Sequence, residues 1–155
     1  MEYKLTFKSY NDALKKNRLL GLKCKACGTI TIPPKMVCHQ CTSPDMEIVE
    51  LSGKGEIVTF TTVNVAAEGR QGEVPYTIVM VKLVEGPWLM GNLIDIDPAT
   101  ATMEELIGRK VKMRNKIFPG DKYSAGESAR PLFSFDKTCE LVGYPPYSEK
   151  TEECK

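Results

Sequence analysis

The sequence predicts a mainly β protein, in which an N-terminal helix and a zinc ribbon are followed by a five-stranded OB-fold barrel. Three observations lead to this architecture. Two C-x-x-C pairs lie close together near the N-terminus, five strand-like runs follow Gly55, and a short helix signal separates the third run from the fourth. Strand, strand, strand, helix, strand, strand is the order of an OB-fold. We therefore assign residues 1–45 to the helix and ribbon, 46–137 to the barrel and 138–155 to an extended tail.

The two C-x-x-C pairs, Cys24–Cys27 and Cys38–Cys41, are separated by ten residues. A C-x-x-C turn brings both sulfurs towards one point, and Zn²⁺ prefers tetrahedral thiolate ligation. Four cysteine ligands leave no open position, so we expect a structural zinc. The spacing leaves open a redox dithiol, two disulfides or an iron site, although a redox pair is expected beside a βαβ pattern that is not visible here. For His39, inside the second turn, we expect a solvent-facing imidazole.

The N-terminal helix is predicted from a weak signal. Asn11 or Asp12 is the expected cap of a short helix through residues 13–16, and Gly21 is its expected end. The apolar residues of this segment are few. We therefore expect the helix to pack on the ribbon or on another protein.

The strands are predicted from runs rich in Val, Ile, Thr and aromatic residues. In the first barrel strand, alternation with a period of two places Ile57 and Val65 on one face and Phe60 on the other. Thr102 begins an S/T-x-x-E capping box, which opens a short helix that ends at Gly108. The predicted strands cover residues 20–22, 30–35, 48–51, 56–66, 75–85, 88–96, 110–118 and 132–135.

The composition excludes several classes of protein. A net charge of +1 provides no overall field that would attract nucleic acid or an anionic membrane. The N-terminus lacks the apolar segment of a signal peptide, and no apolar run has transmembrane length. We therefore expect a cytoplasmic protein, with Cys139 and Cys154 as reduced thiols.

The sequence shows no recognisable catalytic set. A nucleophile elbow, a phosphate-binding glycine loop and an H-E-x-x-H motif are all missing. His39 is the only histidine, which disfavours His-based acid–base catalysis. Asp95 and Asp97 are close enough to act as a pair, but a solvated strand end is the favoured interpretation, and Cys139 has no evident basic partner. We expect the chain to catalyse no reaction by itself.

Four cations alternate with other residues along the predicted fourth barrel strand: Lys110, Lys112, Arg114 and Lys116. A period of two places them on one face, with successive members about 7 Å apart. One interpretation is the solvated outer face of a barrel strand. The other is a site for phosphates, from a nucleic-acid backbone or from the nucleotide end of a cofactor.

Two other function classes remain open on the residues alone. Zinc ribbons and OB-folds both bind nucleic acid, so a single-stranded nucleic-acid-binding module is an alternative. The near-neutral charge and the small number of candidate stacking residues, Phe60 and Tyr76, argue against it. An interaction module is the third class, suggested by the thin N-terminal helix and by Tyr144 and Tyr147 in the tail.

A set of motifs links the ribbon to the barrel: Cys24-x-x-Cys27-Gly28, Pro33-Pro34, Cys38-x-x-Cys41, Ser52-Gly53-x-Gly55, Pro75-Tyr76 before an apolar strand, and Ile107-Gly108-x-x-Val111. Over about residues 8–136 this combination resembles the family catalogued as domain of unknown function thirty-five. The resemblance implies an N-terminal helix, a rubredoxin-like zinc ribbon and a C-terminal OB-fold. It assigns the metal to Cys24, Cys27, Cys38 and Cys41, but it places no residues that contact coenzyme A.

The resemblance also implies a function, that of an acyl-CoA-associated accessory protein. Members of the family partner thiolase-like enzymes in archaeal thiolase and hydroxymethylglutaryl-CoA synthase assemblies, in bacterial acyltransferase complexes and in two-subunit thiolases. The small subunit of the benzylsuccinate-pathway thiolase is similar. We therefore expect a noncatalytic, zinc-binding subunit of a thiolase complex with two copies of each chain. It would bind CoA or acyl-CoA, with the four-cation face as the candidate phosphate site.

Overall fold

The computed structural model describes residues 3–66, 68, 71–120 and 126–136. These residues form the predicted class of fold, a mainly β protein with an N-terminal helix, a small ribbon sheet and a closed five-stranded barrel. In chain order the helices and strands are α1 (Phe7–Lys15), β1 (Leu19–Cys24), β2 (Ile30–Thr31), β3 (Met46–Leu51), β4 (Lys54–Val63), β5 (Tyr76–Leu83), β6 (Trp88–Leu93), α2 (Met103–Leu106), β7 (Lys110–Phe118) and β8 (Ser128–Phe135).

Helix α1 begins four residues before the predicted cap. Its N-cap is Thr6, whose hydroxyl accepts a hydrogen bond from Ser9 N at 3.1 Å. The prediction of Asn11 or Asp12 as the cap was therefore wrong, as was the end at Gly21. That glycine already lies in strand β1, and the chain leaves the helix at Asn17, which has a φ of 57°.

The helix packs against the barrel as well as against the ribbon, with Tyr10 and Leu14 buried. Asn11 Oδ1 accepts a hydrogen bond from Ala129 N in β8 at 2.8 Å, and Asn11 Nδ2 donates to Glu127 O at 3.4 Å. Asn115 Nδ2 in β7 donates to the carbonyl of Lys15 at 2.7 Å. The expectation of a helix packed on the ribbon or on another protein thus missed its main contact within the chain.

The ribbon sheet has the strand order β2-β1-β3, with both pairs antiparallel. Strand β3 pairs with β1 along its whole length, from Cys24 opposite Met46 to Leu19 opposite Leu51. Leu19 and Leu22 of the central strand are buried. The sheet therefore places the first cysteine at the end of a strand that is held on both edges.

The barrel has the strand order β4-β5-β6-β8-β7 and closes where β4 pairs with β7. β6 and β8 are parallel, and the other neighbours are antiparallel. Helix α2 lies between β6 and β7, capped by Thr102 as predicted, and its Leu106 is fully buried. This connectivity is that of an OB-fold.

A β-bulge in β4 changes the predicted assignment of faces. The register with β5 shifts between Ile57 and Thr59, so that Phe60 packs against the same core that buries Ile57. Val65 lies beyond the end of the strand and is 85% exposed. The prediction that Ile57 and Val65 share a face opposite Phe60 was therefore wrong.

The ribbon and the barrel are joined by a short and well-bonded connection between β3 and β4. Ser52 N donates to Glu85 Oε1 at 2.6 Å, and Met113 N donates to Gly53 O at 2.7 Å. Gly53 has a φ of 69°, and a Cβ there would lie 2.8 Å from Met113 Cβ, so a glycine is required. One hydrophobic core runs through both parts. Within the residues that the structure describes, no helix is long and apolar enough to cross a bilayer.

Candidate metal centre and cationic cleft

The two cysteine turns have the same local geometry. Gly28 N donates to Cys24 O at 2.8 Å, and Thr42 N donates to Cys38 O at 3.0 Å. Both donor residues follow the second cysteine of a pair and have a positive φ, 75° for Gly28 and 60° for Thr42. Each turn therefore directs its two sulfurs to the same side of the backbone.

The four cysteine sulfurs converge on one point. All four lie within 4.8 Å of one another, with Cys24 Sγ 3.5 Å from Cys41 Sγ and Cys27 Sγ 3.6 Å from Cys38 Sγ. A zinc–sulfur bond of about 2.3 Å gives about 3.8 Å between sulfurs in a tetrahedron. A disulfide would require about 2.05 Å. The arrangement fits a single tetrahedral metal ion, and these cysteines form no disulfide.

Hydrogen bonds and the close approach of the sulfurs give Cys27 and Cys41 different pKa values. The Thr29 hydroxyl, followed by the Thr29 backbone, lowers the pKa of Cys27 to about 6. For Cys41, the backbone of Ser43 lowers the pKa, but the Cys27 and Cys24 sulfurs outweigh it and raise the value to about 12. Four thiolates repel one another at these distances unless a cation lies between them. The donor set therefore suits a divalent metal.

His39 lies outside this group of sulfurs. The side chain is exposed, as expected, and its Nδ1 lies 3.0 Å from the hydroxyl of Thr31. This contact holds the ring against strand β2, and His39 is not part of the group of possible metal ligands.

The four cations of the predicted phosphate site lie on the outer face of β7 but have different surroundings. Lys110 Nζ pairs with Glu56 Oε2 at 3.0 Å, and Lys116 Nζ lies 5.4 Å from the centre of the Phe118 ring. Lys112 and Arg114 instead line a cleft of about 560 Å³ between β4, β7 and β8. The structure therefore groups only the two middle cations of the set.

A further cation, Lys54 of β4, lies beside Lys112 in the same cleft. Among the described residues, Lys54, Lys112 and Arg114 form no ion pair. Lys54 was not among the predicted cations. Lys54 could have been found from the predicted OB-fold. Closure of this barrel pairs the first strand with the fourth and so brings Lys54 next to Lys112.

The acidic residues near this cleft bind the backbone. Asp95 Oδ2 accepts a hydrogen bond from Phe135 N at 2.7 Å, and Asp97 Oδ1 accepts one from Ala99 N at 2.9 Å. Neither arrangement is that of a catalytic carboxylate pair. Asp95 and Asp136 also line the cleft, so the three cations face two carboxylates. Cys139, Cys154, Tyr144 and Tyr147 lie outside the described residues.

Family models match both parts of the chain. The rubredoxin-like zinc ribbon domain of ChsH2 matches residues 12–47, and the C-terminal OB-fold domain of ChsH2 matches residues 48–116. A DUF35 domain-containing scaffold protein of Methanocaldococcus jannaschii is 32% identical over 96 residues, which cover 61% of this chain and 68% of the relative. The chain belongs to the DUF35 family.

Two other similar chains belong, by their names, to a thiolase and to an aldolase. The benzoylsuccinyl-CoA thiolase subunit BbsA of Geobacter metallireducens is 28% identical over 104 residues, covering 65% of this chain and 68% of that subunit. Among solved structures, a chain of the Ltp2-ChsH2(DUF35) aldolase matches 86% of this chain and 98% of its own length. The TM-score is 0.63 and the identity is 26%.

Proposed function

We propose that this DUF35 protein is a noncatalytic, zinc-binding accessory subunit of a thiolase-type acyl-CoA acyltransferase complex. It helps the complex to assemble and to bind acyl-CoA. One observation carries the proposal: the ribbon and barrel match the two ChsH2 domains in the same order, and similar chains are subunits of a thiolase and of an aldolase assembly. The catalytic residues would then belong to the thiolase-family partner, in a complex with two copies of each chain.

In this proposal Cys24, Cys27, Cys38 and Cys41 hold one structural zinc ion. The ribbon has only three short strands, so it buries little apolar surface of its own. Metal binding supplies folding free energy in such small domains. The convergence of the four sulfurs supports this role.

The cationic cleft, defined by Lys54, Lys112 and Arg114, would bind the phosphates of coenzyme A. Arg114 suits this ligand because a guanidinium binds phosphate oxygens in a bidentate manner. Of the two carboxylates in the cleft, Asp95 is engaged by the amide of Phe135. The three cations form no ion pair among the described residues, which favours an anionic ligand.

The first test concerns the complex. The chain is expressed alone and together with a thiolase-family protein of the same organism, and elution mass and CoA-dependent thiolysis are compared. We expect one complex whose activity requires both chains. Separate elution, with a thiolase that is fully active alone, would overturn the accessory role.

The second test concerns the cleft. In the complex, Lys112→Glu with Arg114→Glu should weaken CoA binding at least tenfold and reduce its salt dependence. The control, Lys16→Glu with Lys23→Glu, changes the net charge equally at exposed lysines outside the cleft. Unchanged CoA affinity would remove the phosphate role. Binding of a short single-stranded oligonucleotide in place of CoA would favour the nucleic-acid alternative.

A further inference from the structure

A second cleft, mainly apolar, lies where α1, the ribbon and the barrel meet. Its volume is about 380 Å³. The walls come from α1, from the segment after β2, and from β5, β6 and β8. We call it the apolar cleft, and the residues that define it are Phe7, Pro33, Met80, Trp88, Met90 and Pro131.

Large apolar side chains of this cleft are exposed to solvent. Phe7 is 74% exposed, Met90 59% and Trp88 54%. Met80 pairs with Met90 across β5 and β6, so the two methionines lie on the same outer face of the barrel. Aromatic residues and methionine are enriched at the centres of protein interfaces, whereas a closed domain has no reason of its own to expose them together.

Two lysines lie near Trp88, at one end of the apolar cleft. Lys82 is the cross-strand partner of Trp88, and Lys35 lines a neighbouring cleft together with Trp88. Both lysines are exposed and have no ion pair among the described residues. Glu85 is the acidic residue of that neighbouring cleft, and its Oε1 accepts the hydrogen bond from Ser52 N.

Arg130 also lines the apolar cleft, but its charge is compensated. It pairs with Glu73 at 3.3 Å and stacks 4.1 Å from the centre of the Phe118 ring. Glu56 faces Lys82 across β4 and β5, but its carboxylate pairs with Lys110 Nζ at 3.0 Å. The positive charge that has no ion pair among the described residues is therefore at the Trp88 end, where Lys35 and Lys82 lie.

We infer that the apolar cleft is the docking site for a segment of the thiolase-family partner that carries a large apolar anchor side chain flanked by Asp or Glu. This inference rests on the proposed function and adds to it the surface and the chemistry of the contact. The anchor fills the space between Phe7, Trp88 and Met90, and the acidic residues pair with Lys35 and Lys82. Since the walls come from both domains, the partner would contact the ribbon and the barrel at once.

Trp88 provides a direct reporter, because it is the only tryptophan of the chain. The full chain is labelled with 5-fluorotryptophan, and its ¹⁹F resonance is followed as unlabelled partner thiolase is added. We expect the resonance to shift and broaden. Trp88→Ala should weaken the complex about 30-fold or more, as expected for a central interface aromatic. Its exposed side chain makes the variant compatible with folding, which circular dichroism verifies.

Charge reversal tests the lysines near Trp88. Lys82→Glu should slow association and weaken binding several-fold, with a loss that shrinks at high salt. Lys23→Glu, an exposed lysine of β1 outside this cleft, is the matched control and should bind as the wild type does.

The outcomes separate this inference from the proposed function. A complex that forms with an unmoved Trp88 resonance and unchanged affinity of Trp88→Ala would overturn the docking site and leave the accessory role intact. Failure to form any complex would overturn both. In the isolated chain, a resonance that shifts with concentration would assign the cleft to a second copy. A shift after deletion of residues 138–155 would assign it to the tail, and either result would contradict the inference.

Discussion

Replacement of Asn11 by alanine should test how the helix is attached to the barrel. Asn11 Oδ1 accepts from Ala129 N at 2.8 Å, which is good hydrogen-bond geometry, whereas the bond from its Nδ2 to Glu127 O is long at 3.4 Å. Ala129 is buried, so the variant leaves its amide without the acceptor that the side chain provided.

The expected loss of stability follows from two opposing terms. A buried N–H without a partner costs about 1–3 kcal/mol. Alanine offsets about 0.5 kcal/mol of this cost because it has a higher helix propensity than asparagine. We therefore expect Asn11→Ala to lower the free energy of unfolding by about 0.5–2.5 kcal/mol.

The assay is urea unfolding of the zinc-loaded protein, followed by circular dichroism. Asn11→Asp keeps the acceptor for Ala129 N and should recover at least half of the loss. Lys8→Ala, on the exposed side of α1, is the control and should remain within about 0.5 kcal/mol of wild type. If Asn11→Ala is as stable as Lys8→Ala, or Asn11→Asp is no better than Asn11→Ala, the hydrogen bond to β8 does not attach the helix.

Three further predictions concern the metal, a strained turn and pH. Strong chelation should unfold the ribbon, which proteolysis measures. Cys38→Ser should lower the zinc content well below one ion per chain, whereas Cys139→Ser should retain the zinc. Thr42→Gly should raise the thermal midpoint slightly, because a β-branched residue at a φ of 60° costs about 1–2 kcal/mol and only its hydroxyl bond to Cys41 O is lost. Burial raises the pKa of Tyr10 to about 12, whereas an unfolded tyrosine titrates near 10. The stability provided by the neutral phenol should thus be complete below pH 10 and decline by about 2–3 kcal/mol as the pH rises to 12, and Tyr10→Phe should remove that decline in urea titrations.

Features that depend on neighbouring residues in the sequence could be predicted. The two C-x-x-C turns are local motifs, and their four sulfurs do converge. The alternation of residues 110–117 predicted β7, and the capping box at Thr102 predicted the position of α2. In each case the pattern itself contains the geometry.

Features that depend on pairing between distant segments could not be predicted from the sequence. The bulge at Ile57 is set by the register with β5, and it reverses the faces that alternation predicts. Asn11 looks like a helix cap because its side chain can bind backbone amides, and it does bind one, but that amide belongs to Ala129 in β8. Lys54 became part of the cationic cleft only through barrel closure.

The attachment of α1 to β8 has a consequence for synthesis. Asn11 and Ala129 are 118 residues apart, so the helix is synthesised 118 residues before the part of β8 that supports it. At roughly 5–20 residues per second, the apolar side of the helix waits roughly 6–24 s for β8. During that interval Tyr10 and Leu14 are available to a chaperone. Ribosome-bound chains stalled before Ser128 should therefore be cleaved by protease in the helix, and chains that extend beyond Phe135 and have cleared the ribosome should be protected.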